Sequence, residues 1–224
     1  MRAMGIGTLF VVSTPIGNLE DITLRALRVL KEVDVVAAED TRRTGALLSA
    51  HGLSARMTSF NAHNSKQKAP GLIEQIKQGS SVALVSDSGT PGISDPGCVL
   101  ITECIKENIT VTAIPGPTAA MAALVVSGKP THKFMFEGFL SNKSSKRKKQ
   151  LEEIIKEERT IVIYESPHRI TGFLRDLLDV AGDRDIAVCR EMTKKFEEIK
   201  RGKVSDLIRH FEASKTRGEF TVVI

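Results

Sequence analysis

Between residues 8 and 127 the chain repeats one cadence: a short apolar run, a break rich in Gly, Pro or Asp, then a longer amphipathic segment. The runs at 8–13, 33–38, 57–60, 81–86 and 110–114 are too short for helices and rich in β-branched residues, so they read as strands. Near-continuous apolarity, rather than alternation, marks strands covered on both faces. The segments between them read as helices. One follows Asn18, Asp21 or Thr23, any of which can cap it, with Ile22, Leu24, Leu27 and Leu30 as its stripe. The others span 44–50, closed by His51-Gly52, then 70–78 with Pro70 in its first turn, and 99–107. Parallel strands need a crossover between them, so the cadence predicts a mostly parallel sheet with helices on both faces.

Gly128-Lys129-Pro130 breaks the pattern after a small-residue helix at 118–127, and sets the expected boundary between domains 1–129 and 130–224. Beyond it, 133–136, 160–164, 186–190 and 219–224 read as strands, and about 146–158 and 170–180 as helices. The looser order there predicts a mixed sheet with antiparallel pairings. The fold class is α/β in two domains, and 224 residues accommodate two cores of roughly 100 residues each. No apolar run approaches the roughly 20 residues of a membrane span. The first, Leu9-Phe10-Val11-Val12, is too short for a signal-peptide core. Cys98, Cys104 and Cys189 lack a C-x-x-C spacing, which argues against a disulfide framework and a zinc site. A cytoplasmic protein with no metal and no membrane association is the expectation.

The longest break is Asp87-Ser88-Gly89-Thr90-Pro91-Gly92-Ile93-Ser94-Asp95-Pro96-Gly97. It leaves a strand and enters a helix, which places it at the carboxyl edge of the sheet, where open α/β folds bind ligands. Glycines let the backbone approach a ligand closely, and prolines reduce the entropy lost on binding. Asp87 and Asp95 make a poor cradle for a triphosphate without metal and suit a cationic or sugar-bearing ligand. A turn with Ser94 and Asp95 capping the next helix is the plainer alternative, but the segment is longer than a turn needs. Gly5-Ile6-Gly7 precedes the first strand and lacks a third glycine, and Gly128-Lys129-Pro130-Thr131 lacks the upstream glycine of a phosphate loop. Dinucleotide-binding and P-loop readings drop out.

Pro15-Ile16-Gly17-Asn18 and Pro115-Gly116-Pro117-Thr118-Ala119 follow two other strands. Singly each reads as an exit turn, but three such loops at one edge outline a pocket. Ala119, Ala120, Ala122 and Ala123 leave room beside it for a flat ring. Glu39-Asp40-Thr41-Arg42-Arg43 is a fourth exit loop, either a self-paired ion cluster with a helix cap or a polar wall facing an acceptor. Tyr164-Glu165-Ser166-Pro167-His168-Arg169 and Arg190-Glu191-Met192-Thr193-Lys194-Lys195 offer acids, bases and cations in the second half. His168 is a candidate general base against the commoner structural role of a lone histidine. Lys plus Arg at 32 exceed Asp plus Glu at 27, and the net charge of +5 favours polyanions. With no Trp and one Tyr, RNA binding would rest on phosphate contacts and shape rather than base stacking. The run Lys143, Lys146, Arg147, Lys148 and Lys149 is either a solvated face or a phosphate contact.

Together, Val11 to Leu19, Glu39-Asp40-Thr41-Arg42, the stretch 86–97, 114–119, 164–169 and 190–193 resemble the tetrapyrrole methylase superfamily. Within it they resemble the bacterial small-subunit ribosomal RNA 2′-O-methyltransferase I group, along nearly the whole chain. The resemblance implies a two-domain fold holding S-adenosylmethionine in a cleft between the domains, commonly as a homodimer. It also implies methyl transfer to the ribose of a cytidine in the decoding region of 16S rRNA, on the small ribosomal subunit. Matched positions put cofactor contacts at Pro15, Ile16, Ser88, Gly89, Thr90, Ile93, Thr118 and Ala119, with Glu165 and Met192 from the second domain. Tetrapyrrole-methylating relatives typically have Gly-Gly-Asp where this chain has Ser88-Gly89-Thr90, a departure that leaves no aspartate for that carboxylate contact and agrees with the non-tetrapyrrole branch. Chains of the group usually continue past the strand 219–224. Charge and loop position add Glu39, Asp40, Asp87 and Lys194 as catalytic candidates. Arg42, Arg43, Arg190, Lys146, Arg147 and Lys148 are the candidates for the RNA. The alternatives are a small-molecule tetrapyrrole methyltransferase and a non-catalytic RNA-binding assembly factor.

Overall fold

The structure is a computed structural model that describes residues 6–213 and 216–224, so Gly5 lies outside the described residues. The chain forms two compact units that divide at Thr118 and Ala119. In the first, β1 (Thr8–Val12), β2 (Val35–Ala38), β3 (Met57–Ser59), β4 (Val82–Val85) and β5 (Thr110–Ile114) form one sheet in the order β3-β2-β4-β1-β5. Every pairing in it is parallel. The connecting helices are α1 (Leu24–Glu32), α2 (Thr41–Ala50), α3 (Ser65–Lys77) and α4 (Cys98–Lys106), with a single 3-10 turn at Leu19–Asp21 before α1.

Alternation along the strands divides the core. Val36, Ala38, Ala83 and Val85 face Ala26, Val29 and Leu30 of α1 and Leu47 and Leu48 of α2. Their neighbours Val35, Ala37, Val82 and Leu84 face Ala69, Leu72 and Ile76 of α3 and Leu100 and Cys104 of α4. Successive strands step one way across the sheet through α1 and α2 and back the other way through α3 and α4, which puts the two helix pairs on opposite faces when the crossovers are right-handed.

In the second unit β6 (Phe134–Phe139), β7 (Thr160–Glu165), β8 (Asp185–Arg190), β9 (Glu198–Lys203) and β10 (Phe220–Val223) form a mixed sheet in the order β6-β7-β10-β8-β9. Only β6 and β7 run parallel. Helices α6 (Ser144–Ile154), α7 (Ile170–Ala181) and α8 (Val204–Glu212) cover one face through Leu151, Phe173, Leu177, Leu207 and Phe211. Tyr164 and Cys189 point to the opposite face, where α5 (Ala119–Val126) lies: the Ala120 N–H donates to the Tyr164 hydroxyl at 3.1 Å.

Several expectations change in detail. The helix α5, assigned to the first domain by a boundary at 129, packs on β7 and β10 of the second unit. The third helix begins at Ser65, so Pro70 stands inside it rather than in its first turn. Asn61 and Asn64, whose side chains bind the backbone N–H groups of residues 61, 63 and 64, shape the start that the proline was expected to mark. The strand β9 and helix α8 had no counterpart in the sequence reading.

One buried ion pair fixes α6 on α7. Arg147 and Asp176 are both nearly inaccessible, and the guanidinium donates to Asp176 at 2.8 Å while Ser144 donates to the other oxygen at 2.9 Å. Removing one partner of a buried pair leaves an uncompensated charge. Asp176→Ala should therefore cost about 3–5 kcal/mol in urea unfolding. Lys148→Ala, removing a half-exposed cation from the same carboxylate cluster, should cost about 1 kcal/mol or less. Equal losses for the two would contradict this placement.

Candidate functional site

The order β2-β4-β1 decides where a ligand can enter the first unit. The chain leaves β4 toward α4 on one face, while β1 and β2 on either side lead to α1 and α2 on the other. Exit loops that diverge open a crevice at the carboxyl edge of a parallel sheet. Here the loop 87–97 stands between two of them.

On the β1 side the loops are stitched together. The Thr14 N–H donates to the Gly89 carbonyl at 2.8 Å and the Gly89 N–H returns to Thr14 at 3.0 Å, an antiparallel bridge outside the sheet. The Thr14 hydroxyl donates to the Ser86 carbonyl at 3.1 Å, and the hydroxyls of Ser13 and Thr90 share a hydrogen bond of 2.8 Å. Gly89 has φ +76, and a side chain there would reach Ile16 Cγ2 at 3.6 Å and the Pro117 carbonyl at 3.8 Å. A Cβ on Gly116 would lie 2.8 Å from Ser13 Cβ, closer than atoms tolerate, so only glycine lets the β5 exit lie against the β1 exit.

These contacts bring Pro15, Ile16, Ser88, Gly89 and Thr90 into one cradle bordered by the segment that ends at Thr118. Pro15 and Ile16 are buried within it. Ile93 is 46% exposed, a large apolar side chain held at the surface of the loop. Ser94 takes φ +63, a strained conformation for a residue with a side chain. Gly97, not Ser94 or Asp95, occupies the N-cap of α4. Sequence reasoning passed over Ser13 and Thr14. Their signal was available as polar residues directly behind an apolar strand, where a buried hydroxyl must find a partner.

On the β2 side lies an acidic corner. The Asp87 N–H donates to Glu39 Oε2 at 3.1 Å, and the Asp40 N–H donates to Asp87 Oδ1 at 3.0 Å. Arg43 stands 3.4 Å from Asp87. Asp40 caps α2 by accepting from the Arg42 N–H at 2.9 Å and takes the Arg42 guanidinium on both oxygens. The Arg42 side chain, helped by that backbone N–H, holds the Asp40 carboxyl well below the usual carboxylate range. Asp40 is therefore a poor proton acceptor, and Thr41, Arg42 and Arg43 form the first turn of a helix rather than a loop.

The second unit presents its candidates separately. Glu165, at the end of β7, is buried; Oε1 accepts from the Ser166 N–H and from Arg169, each at 2.7 Å, while Oε2 has no partner. Met192 is buried, and Ala119, the first residue of α5, is half-buried. Lys194 bonds Glu191 and Glu219, both at 2.8 Å. Burial works against its charge, yet those hydrogen bonds outweigh it and raise its pKa above the ordinary lysine value. Arg190 is engaged by the Arg217 carbonyl at 2.7 Å, by Glu198, and by the Phe220 ring. His168 is exposed.

The basic run divides by helix face. Lys146 is exposed and Lys148 bonds Asp179 at 2.7 Å. Arg147, expected to meet RNA, instead spends its guanidinium on Asp176 inside the core and is corrected to a structural residue. Among the described residues no group of three or more His, Cys, Asp or Glu is arranged to hold a metal. Among the same residues no helix is long and apolar enough to cross a membrane.

The family model for Tetrapyrrole (Corrin/Porphyrin) Methylases matches residues 8–208. A protein of Thermotoga maritima named Ribosomal RNA small subunit methyltransferase I is 50% identical, covering 98% of each chain. The protein of that name from Halalkalibacterium halodurans is 44% identical over 97% of this chain and 75% of its own length. The crystal structure of uroporphyrin-III C-methyltransferase from Thermus thermophilus, complexed with S-adenosylhomocysteine, is similar in fold at 18% identity, with a TM-score of 0.67 and 97% of both chains covered.

Gly116 is the most direct test of the cradle. Gly116→Ala forces the β1 and β5 exits apart and should cost about 1–3 kcal/mol, the usual range for overpacking. Thermal unfolding checks it: an unchanged midpoint would contradict the close approach.

Proposed function

The chain belongs to the tetrapyrrole methylase family, in its ribosomal RNA small subunit methyltransferase I branch, and on that premise we propose that it methylates a cytidine ribose 2′-oxygen in the decoding region of 16S rRNA. Its methyl donor is S-adenosylmethionine. A homodimer working in the cytoplasm on the small ribosomal subunit completes the reading. The observation that carries it is the loop 87–97, flanked by a stitched cradle on one side and an anchored carboxylate pair on the other.

The cradle suits the cofactor. The absence of a side chain at Gly89 lets a ligand approach the peptide chain, and Ser88 and Thr90 supply hydroxyls. Ile93 supplies an exposed apolar surface for a flat ring, and the acidic corner favours a positive sulfonium. Pro15, Ile16 and Thr118 complete the proposed set, with Ala119, Glu165 and Met192 added from the second unit on the family resemblance.

When bound, S-adenosylmethionine supplies a methyl group on a positively charged sulfur that departs as a neutral thioether. A ribose hydroxyl is a weak nucleophile, so a carboxylate takes its proton as the new oxygen–carbon bond forms. Asp87 and Glu39 are the bases of this account, because each is anchored through one oxygen by a backbone N–H. Asp40, already committed to Arg42, instead fixes the start of α2. Arg42 and Arg43, exposed on that first turn, and Lys146 hold phosphates of the RNA. Lys148 and Arg190 contribute through whatever donor capacity their ion pairs leave. The Lys194 ammonium stabilises negative charge developing on the acceptor oxygen.

Mass spectrometry of 16S rRNA, after incubating unmethylated small subunits with the protein and S-adenosylmethionine, should find one 2′-O-methylcytidine in the decoding region. Asp87→Asn or Glu39→Gln keeps the backbone anchors and should lower kcat about 10²–10⁴-fold, with a much smaller loss of cofactor affinity from the missing negative charge. Methylation of a porphyrinoid with RNA untouched would overturn the substrate. Cofactor binding absent from the wild-type protein would overturn the enzyme itself.

A further inference from the structure

A cavity of about 370 Å³ opens between the edge strand β3 and α3. Its wall carries Arg56, Thr58, Gln67, Lys68 and Gln75, and its floor is Val35, Met57 and Leu72. Among the described residues no carboxylate lines it. Elsewhere on the same helix, Lys77 is paired with Glu107 at 2.8 Å, so α3 does not lack countercharges in general. The nearest acids by sequence, Asp34 and Glu74, are not among the lining residues and form no ion pair with Arg56 or Lys68; Asp34 accepts from the Ser81 N–H and hydroxyl, and Glu74 from Gln78.

Lys68 is half-buried and bonds only hydroxyls, Thr58 at 3.2 Å and Ser59 at 2.8 Å. An ammonium has three donors, so one remains, and each hydroxyl that accepts from Lys68 keeps its own O–H to give. Arg56 is exposed at the rim, with a planar fork of donors that matches phosphate oxygens. The polar wall thus carries hydrogen-bond donors and two cations that form no ion pair among the described residues, set over an apolar floor.

We propose that this cavity binds a phosphate of the RNA backbone, with the adjoining sugar against Val35, Met57 and Leu72. It is a second anchoring site on the substrate, built by the β3 edge and separate from the carboxyl-edge crevices. The proposal rests on the RNA reading for the source of the phosphate, while the recognition itself needs only a phosphate-bearing ligand.

Gly71 makes the site testable without disturbing charge. It lines the cavity, and a side chain built there meets nothing within 4 Å. Gly71→Leu fills the space on a helix that tolerates it, and Arg56→Gln removes an exposed rim cation. Binding of a fluorescein-labelled RNA oligonucleotide to the full chain, by anisotropy across a salt series, reads both. Each variant should weaken binding several-fold at low salt. Arg56→Gln should also reduce the slope of log affinity against log salt by about 0.7–0.9, the value of one lost phosphate contact. Affinity and slope unchanged in both variants would overturn the proposal. A second arm titrates inorganic pyrophosphate into the RNA-free protein, read by NMR shifts at Thr58 and Gly71. Shifts there with RNA affinity unaffected by the variants would assign the cavity to a free phosphate compound and reject the RNA. RNA binding through the cavity without methyl transfer would sink the functional reading and leave this one standing. Methyl transfer with RNA binding indifferent to both variants would do the reverse.

Discussion

Two backbone hydrogen bonds between Thr14 and Gly89 tie the exits of adjacent parallel strands to each other. Strands β1 and β4 lead to opposite faces of the sheet, so nothing in the sheet itself holds their loops together once they diverge. The bridge supplies that link, and the Ser13–Thr90 and Thr14–Ser86 contacts reinforce it with buried hydroxyls. Groups paired this way are costly to separate in a site shielded from water. The loop 87–97 is consequently fixed at its start by neighbours and is free to present Ile93 and the strained Ser94 outward.

The same loop also organises the acidic corner. Backbone N–H groups of residues 40 and 87 hold the carboxylates of Asp87 and Glu39 respectively, so one hydrogen-bonded circuit sets two strand exits and two candidate bases. Arg42 and Arg43 partly offset the charge without burying it. Asp40 shows how position decides role. A carboxylate at a helix N-cap, with a guanidinium on both oxygens, is valuable as a fastener and unsuited to accepting protons.

The parallel sheet was legible because its central strands β1, β2 and β4 are short, largely apolar on both faces and followed by a break. Hydrophobic periodicity carries that signal directly. The carboxyl-edge site followed from it, since strand exits in such a sheet share one edge. Pairing partners were not legible: Arg147 stands in a run of cations that reads as a solvated face, and only Asp176, 29 positions away, makes it a core residue. The strand β9, Glu-Ile-Lys-Arg-Gly-Lys, reads as a charged loop, because an edge strand open to water needs little apolar content. Helix α8 did carry a helical stripe, Val204, Leu207, Ile208 and Phe211, which a systematic count of periodic positions would have found. Helix α5 is apolar on every side, so its sequence does not say which sheet it covers.

The claim on which the rest depends is that the stitched exits of β1, β4 and β5 are the cofactor cradle. A crystal structure of the protein grown with S-adenosylhomocysteine tests it most directly. The account predicts ligand density against Ser88, Gly89, Thr90 and Ile93, with Pro15 and Ile16 in contact. Density bound elsewhere, with the Thr14–Gly89 bridge and its neighbours untouched, would contradict it.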